Sequence, residues 1–114
     1  MKDSKVYLIH IQDCIQRIES YTAEGESAFL QDRRTQDAVI RNLEVICEST
    51  KNLRDEWKAN HSNIDWKRMR DFRNFLAHQY LDVDLDVVWK VIEKYIPALK
   101  IAINKMRNEL EEAG

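Results

Sequence analysis

Within the run Arg73-Asn74-Phe75-Leu76-Ala77-His78-Gln79-Tyr80 the chain places a permanent guanidinium, an imidazole that titrates near neutral pH and a phenol. These residue types suit work on a phosphodiester. RNA can be cut without a metal: a base takes the proton of a 2′-hydroxyl, that oxygen attacks phosphorus, and an acid protonates the departing 5′-oxygen. Histidine fits both proton transfers, because catalytic pKa values work best near the operating pH. Arginine fits the remaining role, since its planar fork matches phosphate oxygens and stabilises developing charge.

The motif offers a single histidine, His78. A symmetric homodimer would gather two copies of Arg73 and His78 around one cleft and so supply base and acid together. Asn74 stands four residues before His78, within reach on a helix, and is a candidate support. Between Trp66 and Arg73 the charges are Lys67, Arg68, Arg70 and Arg73 against Asp71, a local net of +3. Such a patch gathers a polyanion even though the whole chain carries −2. Lys67, Arg68 and Arg70 are therefore candidate RNA contacts. The competing interpretation is plain: a helix cap, a packing histidine, a half-buried phenol and a solvated basic face. His10 and His61 suggest no functional role. Cys14 and Cys47 are too few and too far apart for a metal site and have no adjacent base; both fit buried free thiols. No metal or other cofactor is expected.

The elements that must position these residues are helical. The chain has 114 residues with only two Gly and one Pro, which argues for a few long helices rather than many turns. Hydrophobic residues make up 44% and charged residues 33%, as in a globular domain. A first helix opens near Asp3 or Ser4 with the stripe Leu8, Ile11, Ile15, Ile18 and ends before Gly25. Tyr7, Ile9, Cys14 and Tyr21 lie outside that stripe and suggest a second buried face, such as a dimer contact. A short helical turn surrounds Phe29. Asp32 caps a long second helix with the stripe Val39, Leu43, Ile46, Thr50, Leu53, Trp57. A third runs from about Ile64 or Asp65 to about Ala77 or His78, where Arg73 and His78 stand about 140° apart around the axis. Asp84 or Asp86 caps a fourth, with the stripe Trp89, Ile92, Ile96, Leu99, Ile103, Met106, Leu110. Pro97 predicts a kink or break near residues 93–97, because proline removes a helical hydrogen bond. Trp57, Trp66 and Trp89 fit apolar stripes and read as core anchors. The expected fold is an all-α, four- to five-helix up-down bundle, one domain over residues 1–114. No apolar run follows the N-terminal residues and none approaches the ~20 residues of a membrane span, so a cytoplasmic protein with no membrane contact is expected.

Arg73, four residues, His78, one residue and Tyr80 resemble the Arg-x4-His-x-Tyr signature of HepT-type toxins in the HEPN superfamily. The resemblance extends to Trp66, to Asp82-Val83-Asp84, to Trp89, and to Asp32–Ala38 and Leu43–Ile46, so it covers nearly the whole chain. Cys47 departs from the family's usual pattern, in which a glycine precedes the glutamate at Glu48. The resemblance implies a metal-independent endoribonuclease acting as toxin, with Arg73 and His78 catalytic and Asn74 supporting. It implies a homodimer and a nucleotidyltransferase antitoxin of the MNT type that transfers AMP to Tyr80. The alternative reading keeps the HEPN fold without catalysis, as a module that binds nucleotide or docks the nucleotidyltransferase.

Overall fold

Aspartate side chains open the long helices. Asp3 accepts the Lys5 amide at the start of α1 (Ser4–Tyr21). Gly25, with φ 96°, turns the chain into the short α2 (Glu26–Gln31), a backbone conformation that glycine adopts at no steric cost. Asp32 then accepts the Arg34 amide at 3.0 Å and the Thr35 hydroxyl at 2.8 Å, opening α3 (Arg33–Lys51). The Thr35 hydrogen bond is the main cause that holds the Asp32 carboxyl below its usual range. A brief α4 (Asp55–Ala59) follows. Asp65 accepts the Arg68 amide at the head of α5 (Trp66–His78). Asp84 accepts the Asp86 and Val87 amides and opens α6 (Leu85–Lys90), which passes through a π-helical turn (Val91–Tyr95) into α7 (Ile96–Ala113). The computed structural model describes residues 3–78 and 84–113, the side chains of Ala77, His78 and Ala113 excepted.

The architecture is the expected all-α bundle. α1 packs along α3 on one side and along α7 on the other, and α5 packs on α3. The core runs through Ile11, Ile15 and Ile18 of α1, Val39, Leu43 and Ile46 of α3, Leu76 of α5 and Leu99, Ile103 and Met106 of α7. Burying side chains of this size stabilises a fold by roughly 1.5–3 kcal/mol each. Trp57, Trp66 and Trp89 are half-buried and pack at its margin.

Two expectations change in detail. The stripe from Val39 to Trp57 suggests one unbroken helix, but α3 ends at Lys51. There Thr50 Oγ1 donates to the Cys47 carbonyl and the Asn52 amide group donates to the Glu48 carbonyl. Those side chains meet the last carbonyls in place of further helix. Leu53, in the turn, is still buried, and Trp57 packs from α4. The apolar surplus on α1 also shrinks: Cys14 is buried and Tyr7 packs against the chain's own core. Ile9 and Tyr21 remain exposed, but twelve residues apart they sit about 120° apart around the axis and form no single stripe.

The expected disturbance at Pro97 takes the form of the π turn, in which the Ile96 amide bonds the Val91 carbonyl five residues back. The wider turn places Pro97 second in α7, where its missing N–H is tolerated. Among the described residues, no helix is long and apolar enough to cross a membrane.

Candidate functional site

Arg73 lies on the face of α5 that meets α3. It is held there by a partner 25 positions earlier in the chain: Arg73 Nε stands 2.7 Å from Glu48 Oε1 on α3. The same oxygen is 3.6 Å from Lys51 Nζ. Both side chains stay wet, Arg73 at 39% and Glu48 at 46% exposure. A guanidinium carries five N–H donors, so one carboxylate leaves it capacity for another oxyanion. Arg73 and Glu48 line a surface cleft of about 270 Å³ with Arg41, Glu44, Val45 and Ser49. Arg41 and Glu44 pair loosely within it, at 3.9 Å. The cleft therefore offers two arginines, each beside a glutamate.

His78 is the last residue of α5, and its backbone is helical. Five residues of helix carry it about 7.5 Å further along the axis than Arg73. Its side chain, and Tyr80 with Gln79, lie outside the described residues. Asn74 is exposed on α5, next to Arg73 in sequence.

The basic run separates. Lys67 and Arg70 line a broad groove of about 610 Å³ between α5 and the end of α3. Arg68 turns to the other side of α5, where its guanidinium lies 5.4 Å from the Tyr95 ring centre. It borders an apolar cavity of about 110 Å³ with Met69, Phe72, Val91 and Leu99. Successive residues are 100° apart on a helix, so adjacent cations cannot share one face.

Cys14 and Cys47 are buried free thiols. Burial pushes the Cys47 thiol up to about 12 and raises that of Cys14 as well. A thiol held protonated is a poor nucleophile. Among the described residues, no three His, Cys, Asp or Glu side chains are grouped to hold a metal ion.

The sequence reading missed Glu48 as the partner of Arg73. It also missed Lys51 and Lys58 as neighbours of Lys67 and Arg70. The available signal was slight: Glu48 and Lys51 flank the Val39–Thr50 stripe on its polar side, near the end of α3.

The family model described as "Ribonuclease HepT-like" matches residues 11–106. The chain is 41% identical over 107 residues to "Probable ribonuclease HepT" of Thermococcus cleftensis, covering 93% of this chain and 97% of that protein. It is 42% identical over 112 residues to the "Gamma-glutamylcyclotransferase and putative RNase" of Methanocaldococcus jannaschii, covering 97% of this chain. The chain spans 50% of that longer protein. It is 27% identical to "mRNA nuclease HepT" of Shewanella oneidensis, across 87% of this chain and 92% of that protein. No solved structure matches the chain.

Proposed function

The chain belongs to the HepT-like ribonuclease family, and from that premise we propose that it is a metal-independent endoribonuclease, the toxin of a toxin–antitoxin pair. One observation carries the proposal: a half-exposed guanidinium, Arg73, is anchored through Nε at an open cleft. As an exposed ion pair alone the contact contributes little stability. As a fixed fork facing solvent it suits a phosphate. The names of the relatives, ribonuclease and mRNA nuclease, support RNA as the substrate class.

In the proposed reaction two subunits share one site. One copy of His78 removes the 2′-hydroxyl proton. The 2′-oxygen bonds to phosphorus, the bond to the 5′-oxygen breaks, and the second copy of His78 protonates that leaving oxygen. The products are a 2′,3′-cyclic phosphate and a free 5′-hydroxyl. Arg73 stabilises the charge on the pentacoordinate phosphorus, and Asn74, one helical turn before His78, supports the imidazole. Residues 1–114 form one ribonuclease domain, which acts in the cytoplasm. An MNT-type nucleotidyltransferase antitoxin silences it by modifying Tyr80. The phenol oxygen attacks the α-phosphorus of ATP, pyrophosphate leaves, and the new phosphate occupies Arg73 and His78 in place of RNA.

The test is cleavage of RNA by purified protein in chelator, with His78→Ala alongside. Cutting by the parent protein and not by the variant is expected; equal cutting by both overturns the assignment. Light scattering on the eluting species must give a dimer, and a monomer that cleaves equally well removes the shared site. Co-expression with the nucleotidyltransferase should add AMP to the intact mass, and Tyr80→Phe should abolish the addition.

A further inference from the structure

A second, larger concavity adjoins the Arg73 cleft. It lies where the end of α3, α4 and the first half of α5 meet, and Lys51, Lys58, Lys67 and Arg70 surround it with Asp55 and Trp66. Four cations face one carboxylate in a chain whose net charge is −2. The wall is built rather than incidental. Trp66 Nε1 donates to the Lys58 and His61 carbonyls at 3.1 and 3.2 Å, pinning the connection from α4 to α5. Lys58 Nζ donates to the Thr50 carbonyl at 3.4 Å and lies 3.7 Å from Asp55, so it is committed to the wall. Lys51 is shared with Glu48. Lys67 and Arg70 are exposed, and among the described residues no carboxylate lies within ion-pair distance of either.

An ion-pair relay links the groove to the cleft. Glu48 Oε1 joins Lys51 on the groove side to Arg73 on the cleft side, at 3.6 and 2.7 Å. Along α5, Lys67, Arg70 and Arg73 recur every three residues, each about 4.5 Å further along the axis. Each step also turns about 60° around the axis, so the three cations follow a shallow spiral that leads from the groove toward the cleft at Arg73.

We infer that this groove is a binding track for the phosphates of single-stranded RNA flanking the cleaved bond, with Lys67 and Arg70 as its contact residues. The inference rests on the ribonuclease reading and adds where the substrate lies. Lys51 and Lys58 raise the local potential, while Lys67 and Arg70 touch the strand. Arg68, over Tyr95 on the other side of α5, takes no part. Because phosphate contacts carry no sequence information, the track sets affinity and register rather than choice of base.

The test uses a fluorescent 12-nucleotide single strand and full-length protein carrying His78→Ala, so that binding is read without cleavage. Adding Lys67→Gln and Arg70→Gln should weaken binding at least tenfold at moderate salt. It should also flatten the dependence of log affinity on log salt by about 1 to 1.5, as expected for two lost phosphate contacts. Arg68→Gln should change neither quantity. In the cleaving protein, the same pair should raise KM for the 12-mer with kcat held within about twofold, and leave cleavage of a dinucleotide unchanged. Melting temperatures matched to the parent exclude misfolding, and Lys67→Glu with Arg70→Glu should deepen the loss. Unaltered binding and salt slope in the paired variant overturn the track. So does loss of an acidic protein partner with RNA affinity intact. A protein that binds the strand through Lys67 and Arg70 and never cuts it keeps the track and defeats the ribonuclease reading. One that cuts the 12-mer with both residues neutralised and KM unchanged does the reverse.

Discussion

Arg73 Nε and Glu48 Oε1 meet at 2.7 Å across the seam of α5 and α3. The contact fixes the one motif cation that the helices themselves leave half in water. Its energetic weight is small and its geometric weight is large, and these two quantities are separable by substitution.

Glu48→Gln keeps the shape and removes the charge. The pair is exposed, so unfolding free energy should change by less than about 1 kcal/mol. Cleavage should fall about tenfold in kcat with little change in KM, equivalent to about 1.4 kcal/mol of transition-state stabilisation. Urea titration and steady-state kinetics on the same preparation check both halves. A variant that melts early and cleaves normally would make Glu48 purely structural.

Arg73→Lys retains the positive charge and discards the planar fork. If Arg73 holds phosphate oxygens in the transition state, lysine should not restore the rate. A loss of about 10²–10³ in kcat is expected, the range for removing one oxyanion donor. Thermal melting should stay close to that of the parent. Single-turnover cleavage at saturating protein reads the chemical step directly.

Trp66→Phe keeps an aromatic side chain but replaces the bicyclic indole with a smaller phenyl ring and deletes the N–H. The Lys58 and His61 carbonyls then lose a shared donor. A cost of about 1–2 kcal/mol is expected in urea unfolding, since partly buried acceptors are left unpaired. RNA affinity should drop in step, because the same bond shapes the wall of the basic groove. Unchanged stability would mean that water replaces the indole at no cost.

Cys47 gives a pH dependence with a definite sign. Burial raises its thiol from 9.0 to about 12. The unfolded chain therefore gives up this proton near pH 9 while the folded chain keeps it until about pH 12. The contribution to stability is complete below pH 9 and declines as pH rises through that window. Cys47→Ala should make the alkaline decline shallower. At pH 8, iodoacetamide should leave both cysteines unmodified in the native protein and label both in urea, as read by intact mass.

Much of this architecture is written locally. Asp3, Asp32 and Asp84 open their helices because a side-chain carboxylate close to exposed amides is a short-range device. Pro97 announces the disturbance before it, since the missing N–H acts on its own turn. What sequence hides is tertiary. Leu53 and Trp57 continue the α3 spacing beyond its end, because both still pack on the core that ordered the stripe. The side-chain bonds of Thr50 and Asn52, with the Asn52 amide turned back to the Ser49 carbonyl, mark the true stop. The Glu48–Arg73 contact joins separate helices, and no periodicity reports such a pair. The parting of Arg68 from Lys67 and Arg70 is legible at 100° per residue, once the run is placed on a helix and no longer read as a single patch.

The wide turn at Val91–Tyr95 bears on how the chain length can vary. A π turn accommodates one residue more than an α-helix spends on the same rise, and confines the surplus to a single loop of backbone. Removing one residue there would let the turn tighten while Val88 before it and Leu99, Ile103 and Met106 after it kept their headings. The same deletion further along α7 would swing every later side chain by about 100° and turn Met106 toward solvent. Residues 91–95 are thus a place in the last helix where a lineage can shed a codon without recasting the interior.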